Sequence, residues 1–465
     1  MKEQKNLREN KMGTTPIGKL LFQMALPMIL SMLVQALYNV VDSIYVSQIS
    51  ESAITALSLA FPIQNLQIGC ATGIAVGVTA LLSKSLGCHD YERANKAAMN
   101  GIFLTGICVV AFMLFGAFAA RPFYAMQSNV AETVEGGAAY IRICTLVSIG
   151  IFGEILFERL LQSSGRTSYT LITQGTGAVL NILLDPVFIF GKFGIPAMGI
   201  AGAAVATVLG QCVAFALALF FNAKKNHDVK ISFRGFRPQM EIIRPVMAVA
   251  VPSVVMMSVG SVMNFGFNQI LQSFSETATS VFGVYFKLQS FVFMPVFGLN
   301  NAMIPMVAFN FGARQPKRIV RSVLYCMITA TCIMILGFLA FRFAPDLLLS
   351  MFNPTEQFLE LGVVALRTIS ISFPIVGMCI VLSAAFQALG NGVYSTLVSI
   401  ARQLVVLLPV AYLLSKTGDV SSVWWSFPIS ELISTAASVC FALRLFRQKV
   451  RGLYEVERLS WKELL

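Results

Sequence analysis

The sequence predicts an all-α polytopic membrane protein, with twelve transmembrane helices in two six-helix lobes related by a parallel internal repeat. Three observations predict it. The 465 residues are 56% hydrophobic and 12% charged, about half the charged share of a soluble domain. The apolar residues gather into twelve runs, each approaching or exceeding the ~20 residues that a hydrocarbon core asks of a helix. The sequence also lies on itself when shifted by 225 residues.

Composition excludes several classes of protein. The segment 1–19 is polar and carries Lys2, Lys5, Arg8 and Lys11, and the apolar run after it is too long for the core of a signal peptide. The N-terminus is therefore expected to stay in the cytoplasm, with the first helix retained. The nine cysteines are odd in number and form no C-x-x-C, and all but Cys88 fall in apolar segments, so they read as small core residues. Only two histidines occur, His89 and His227, both in polar loops. No Walker A run is present. With no nucleophile–base constellation or metal motif, neither an enzyme nor a resident cofactor is expected.

The twelve spans are placed at about 20–47, 53–83, 97–119, 137–162, 169–191, 198–222, 242–272, 279–310, 320–343, 360–386, 395–415 and 422–446. They divide into an N-lobe at 20–222 and a C-lobe at 242–446. A polar loop at 223–241 joins the lobes, and polar ends lie at 1–19 and 447–465. With the N-terminus inside, 25 of the 34 Lys and Arg residues fall on cytoplasmic segments and four on outer loops (Arg121, Lys192, Arg342 and Lys416). The positive-inside rule then puts both termini in the cytoplasm. A basic face beside anionic lipid accounts for the net charge of +12 without a nucleic-acid partner.

In the repeat, Pro27 meets Pro252, Asn39 meets Asn264, Gln64 meets Gln289, Gly73 meets Gly298 and Arg93 meets Arg318. The register continues through Arg142 and Arg367, Gln162 and Gln387, Gly165 and Gly390, and Tyr169 and Tyr394. Six spans per half is an even number, so both halves enter the membrane in the same sense. Two like-oriented bundles leave a cleft that rocking opens to alternate sides. This is the organisation of a transporter.

Ionisable groups within spans are costly and are functional candidates by default. The acids are Asp42, Glu154, Glu158, Asp185 and Glu431. Gln35, Asn39 and Asp42 share one face of span 1, and Gly177, Asn181 and Asp185 share one face of span 5. A carboxylate in low dielectric can exchange a proton near neutral pH, and the same oxygens with Asn181 can hold Na⁺. The bland alternative is a pair of wetted span-end residues, since both acids lie toward the outer ends. Against it, Asp42, Tyr140, Asn181 and Asp185 map at the repeat offset onto Phe267, Ala365, Val406 and Val410. A packing requirement of the fold would tend to recur in both halves. Glu154, Glu158 and Arg159 lie near the cytoplasmic end of span 4, where a proton path and interfacial ion pairing are both open. Lys287 and Glu431 are similarly ambiguous, and Arg142 and Arg367 read as snorkelling anchors. Some of the 21 Met and 37 Phe residues are expected to line a plastic ligand cavity.

The runs GTTPIGKLLFQMALPMIL, LYNVVDSIYVSQI, LQSSGRTSY, LNILLDPVFIF and GIAGAAVATVLGQ resemble multidrug and toxic compound extrusion (MATE) transporters, and the match covers essentially the whole chain. The resemblance implies a V-shaped pair of lobes in a multi-pass protein of the bacterial inner membrane, working as a monomer. It implies antiport, in which H⁺ or Na⁺ enters as a small organic substrate, typically a cation, leaves. Matched to the branch with an N-lobe cation site, the coupling residues are Asp42, Tyr140, Asn181 and Asp185, with Thr207 as the span 6 member. Another branch places acids in spans 7 and 10. Here span 7 has Asn264 and Asn268, and span 10 has only Glu360 at its edge. The alternatives are a flippase for a lipid-linked precursor or an exporter of one specific metabolite. Flippases tend to have a strongly cationic cavity, whereas intramembrane basic residues are few in this chain.

Overall fold

The computed structural model describes residues 10–352 and 355–453, and among them every regular element is a helix. Eleven helices are long and apolar enough to cross a membrane, and one bent pair completes a set of twelve. In chain order they are α1 (Ile17–Ser47), α2 (Glu51–Gly87) and α3 (Tyr91–Phe118), then α4 in two segments, Ala131–Leu146 and Ile149–Ser163. There follow α5 (Ser168–Phe190), α6 (Ile200–Lys225), α7 (Met240–Gln272), α8 (Glu276–Gly312) and α9 (Pro316–Phe343). The last three are α10 (Glu356–Ala388), α11 (Gly392–Ser415) and α12 (Val420–Arg451).

The span expected at 137–162 is α4, which bends by 43° between its segments. The Thr145 hydroxyl donates back to the carbonyls of Ile141 (2.6 Å) and Arg142 (3.3 Å), a local bond that bends helices. The repeat position in the other half, Ser370–Ser372, is a 3₁₀ turn inside α10. Both halves thus break the same helix at the same place.

The chain forms two compact units: Leu30–Val254, and Met1–Ile29 with Val255–Leu465. The divisions fall within α1 and α7 and are themselves 225 residues apart. Each lies just beyond an in-helix proline, Pro27 in α1 and Pro252 in α7, where a missing N–H removes one helical rung. The opening part of each half's first helix therefore belongs with the other half. Glycines allow this close approach. A Cβ on Gly73 of α2 would lie 2.8 Å from the Ala250 carbonyl, and one on its repeat mate Gly298 of α8 would lie 2.8 Å from the Met28 carbonyl.

The segments leading into α1 and α7 are tied down in parallel fashion. In one unit, Arg318 Nη2 donates to the carbonyls of Met12 and Thr15, both at 2.8 Å, and its Nε donates to Asn310 Oδ1 at 2.9 Å. In the other, Asn95 Oδ1 accepts from Lys230 N (2.7 Å), and Asn100 Oδ1 accepts from Gln239 N (3.0 Å). Arg166 also pairs with Asp228 at 3.2 Å. The basic loop between α6 and α7 is thereby docked along the ends of α3 and α5.

Within the Leu30–Val254 unit, α2, α4 and α6 meet over Ala53, Ala56, Ala60, Ile141, Ala203 and Ala204. Small residues are what allow backbones to approach where lipid supplies no hydrophobic drive between helices. Tyr124 is sealed in this cluster, and its hydroxyl donates to the Ala56 carbonyl at 2.7 Å.

Candidate functional site

The site begins where α5 crosses α6. A Cβ on Gly210 would stand 2.7 Å from the Gly177 carbonyl, and one on Gly202 would stand 2.4 Å from the Phe188 carbonyl. Only glycine permits these contacts, and they bring the Asn181–Asp185 face of α5 against Thr207 of α6. The Asn181 amide is satisfied when its nitrogen donates to Asp185 Oδ2 (3.2 Å) and its oxygen accepts from the Thr207 hydroxyl (3.2 Å) and the Thr207 N–H (3.1 Å). This orientation is assigned from the hydrogen-bond network. Asn181 and Asp185 are both buried, Asp185 completely.

Asp42 approaches from α1 and lies within electrostatic reach of Asp185 and of Tyr140. Tyr140 is buried on α4, and its hydroxyl accepts from Gln64 Nε2 of α2 at 2.9 Å. Tyr38, one turn before Asp42, is within reach of Asp42, Asp185 and Glu154 and is hydrogen-bonded by Gln35. The structure thus gathers Asp42, Tyr140, Asn181, Asp185 and Thr207 into one site, with Gln35 reaching its margin through Tyr38. Asn39 is exposed on α1. Sequence reasoning missed Tyr38 and Gln64. The 35–38–42 spacing places Tyr38 on the acidic face, and Gln64 had drawn notice only as a repeat marker.

Glu158 of α4 faces α5. Glu158 is buried and accepts from Thr173 and from Gln174 Nε2 (2.8 Å), while Ser31 of α1 donates to the oxygen of that same Gln174. Arg159 is buried too and donates to Gln162 Oε1 at 3.1 Å. Polar side chains at 31, 35, 38 and 42 on α1, and at 174, 181 and 185 on α5, therefore stripe one face of each helix, with Glu154 and Glu158 beside them. In the other unit, Lys287 is exposed, Asn264 and Asn268 are half-buried, and Asn264 Oδ1 is sealed without a hydrogen-bond partner among the described residues.

Asp42 Oδ1 and Asp185 Oδ1 are each sealed from water, with no hydrogen-bond donor among the described residues. A buried carboxylate in that condition is costly unless a proton or cation neutralises it. The oxygens of the two acids, Asn181 and Thr207 are hard ligands of the kind that suit a small monovalent cation. Among the described residues, no group of three or more His, Cys, Asp or Glu is placed to hold a metal ion. At the repeat position of Asp42, Phe267 is fully buried in an aromatic core, 4.6 Å from Phe282, 5.1 Å from Phe427 and 6.0 Å from Trp424 between ring centroids. One half has a polar site where the other has packed rings. Thr207→Val keeps the shape but removes one of two donors to the Asn181 oxygen. Loss of that hydrogen bond is expected to lower the unfolding free energy by ~1 kcal/mol. The thermal midpoint of the purified protein checks it, and an unchanged midpoint would remove the Thr207 hydroxyl from the network.

A family model described as MatE matches residues 27–187 and again residues 252–413, one copy on each repeat. A "FAD transporter" of Shewanella oneidensis is 23% identical over 439 residues, covering 93% of this chain and 96% of its own. A "Multidrug export protein MepA" of Staphylococcus saprophyticus is 24% identical over 428 residues, covering 91% and 93%. Among solved structures, a crystal structure of MATE in complex with MaL6 superposes with a TM-score of 0.90 at 24% identity, covering 96% of this chain and 99% of its own. An outward-facing multidrug resistance MATE family transporter gives 0.89 at the same identity and coverage. With its fold, its two matched repeats and full-length relatives in agreement, the chain belongs to the MatE family of multi-pass membrane transporters, which are not enzymes.

Proposed function

We propose that this protein is a secondary active exporter of the bacterial cytoplasmic membrane, with both termini in the cytoplasm. It moves organic compounds, cations among them, outward in exchange for H⁺ or Na⁺ by alternating access. The observation that carries the reading is the pair Asp42 and Asp185, each with a buried oxygen lacking a donor among the described residues, in a half whose repeat counterpart is aromatic. In the outward-open state a cation settles on Asp42, Asn181 and Asp185. Neutralising the acids alters the packing of α1, α5 and α6 and weakens the hold on a cationic substrate, which leaves. A later substrate from the cytoplasm displaces the cation. Antiport requires this mutual exclusion, because a ligand shifts an equilibrium only through its differential affinity. The protein acts as a monomer and needs no resident cofactor.

The names of the relatives support two substrate classes, multidrug compounds and a flavin nucleotide. Ethidium export from energised cells tests the reading, with a protonophore added and Na⁺ withdrawn in separate arms. Loss of export with the protonophore identifies H⁺ as the driving ion, and loss without Na⁺ identifies Na⁺. If a well-expressed protein moves no ethidium under either gradient, polyspecific export is wrong, and a specific metabolite or a lipid-linked precursor becomes the substrate to test.

A further inference from the structure

The C-terminal half holds a mid-span charge pair that the coupling site does not use. Arg402 lies on α11 and Glu431 on α12, with Nη1 and Oε1 3.7 Å apart. Arg402 is the repeat counterpart of Gly177. Where α5 carries a glycine and closes on Gly210, α11 carries a long cation and winds as a π-helix from Ala401 to Leu407. Single π turns inside α-helices occur frequently at functional sites.

The pair is poorly made as a structural clamp. Its one contact is long and is not the two-pronged geometry that makes Arg–carboxylate pairs strong. Ser430 Oγ already joins α12 to α11 through the Arg402 carbonyl at 2.5 Å. Charges at mid-span are expensive, and a buried pair can often be replaced by apolar residues without loss of stability. The two members are also unequally used. Glu431 is 6% exposed, and its Oε2 is sealed with no partner among the described residues. The Arg402 side chain keeps 21% of its surface accessible and donates no hydrogen bond among the described residues. The other titratable groups facing Glu431 are Tyr285 of α8 and Cys379 of α10.

We propose that Arg402 is an anion-binding group in the C-terminal half. A phosphate or carboxylate, carried by a transported compound or free in solution, takes the unused N–H donors of the guanidinium. Glu431, released from Arg402, takes a proton from solvent onto its unpartnered oxygen, which offsets one negative charge of the incoming anion. The empty site never holds a bare buried cation, because Glu431 stands in for the anion. This inference rests on the transporter reading and adds anionic compounds to its substrates.

The test is equilibrium dialysis of the purified full chain in detergent against flavin mononucleotide and riboflavin, which differ by one phosphate. The wild type is expected to hold the phosphorylated flavin at least about tenfold tighter, as a charge-assisted contact allows. Arg402→Gln should erase that difference. Glu431→Gln, which mimics the protonated acid, should tighten the phosphorylated flavin further, whereas a merely structural pair would give weaker binding. Should single variants fail to fold, the double variant Arg402→Met/Glu431→Met removes both charges and is expected to bind the two flavins alike. Sulfate that competes with the phosphorylated flavin shows that a free anion also occupies the site, and no competition restricts it to the organic phosphate. Equal binding of the two flavins by the wild type, or a preference that survives Arg402→Gln, overturns the proposal. Neither result touches ethidium export, which tests the exporter reading separately.

Discussion

Asp42→Asn is expected to cut gradient-driven export by more than about tenfold, while the protein still inserts and purifies as the wild type does. Asp185→Asn should do the same. The amide keeps the volume of the acid but can neither bind a proton in the pH range of life nor neutralise a cation, so differential binding of the coupling ion is lost. A tenfold loss corresponds to ~1.4 kcal/mol, within the usual range of coupling free energy for linked sites. Folding should be spared for a specific reason. Both acids already carry a sealed oxygen without a donor among the described residues, so removing the charge relieves a burden on the folded state. The measurement is ethidium export beside the yield of monodisperse protein from the same cells. Export at the wild-type rate from Asp42→Asn would falsify the coupling assignment. Loss confined to Asp185→Asn would leave α5 and α6 holding the ion without α1.

Much of this was legible in the sequence because hydrocarbon imposes a coarse code. Apolar runs give the spans, and a constant offset gives the repeat. The offset also revealed that Asp42 faces a Phe267 in the other half, and the structure shows why that contrast is informative, since Phe267 is packed among rings. What was not legible depends on which side of a helix meets which neighbour. Asn39 shares a helical face with Asp42 by spacing, yet it is exposed, because a stripe is wider than the contact it makes. Gln64 is silent until Tyr140 is seen to accept from it. At Glu158 the sequence leaves a proton path and ion pairing both open, and it is silent on Thr173 and Gln174 of the next helix, which bond both carboxylate oxygens from 15 and 16 residues away along the chain. The break in α4 hangs on the Thr145 hydroxyl turning back on its own helix, a rotamer choice that no periodicity records.

Gly298→Leu is expected to abolish recovery of folded protein, and Gly73→Leu to do likewise. The two residues are repeat mates, and each faces the backbone of a helix that begins in the other half of the sequence. A Cβ on Gly298 would lie 2.8 Å from the Ile29 Cα and N as well as the Met28 carbonyl. A Cβ on Gly73 would lie 2.7 Å from Val254 Cγ2 and 2.8 Å from the Ala250 carbonyl. Backbone cannot swing aside as a side chain can, so even alanine must push the helices apart. Overpacking of this kind costs about 1–3 kcal/mol, and leucine adds three more carbons to the same gap. Gly298→Ala is therefore expected to lower the thermal midpoint measurably, as read by size-exclusion chromatography after heating. Gly175→Ala and Gly283→Ala are the controls, because a Cβ there meets nothing within 4 Å, and alanine in a helix interior is favoured over glycine. If Gly298→Leu folds like the wild type, the opening part of α1 does not run along α8, and the exchange of helix ends between the halves is wrong. If only the Gly73 and Gly298 variants fail while the controls stand, the exchange is a requirement of the fold.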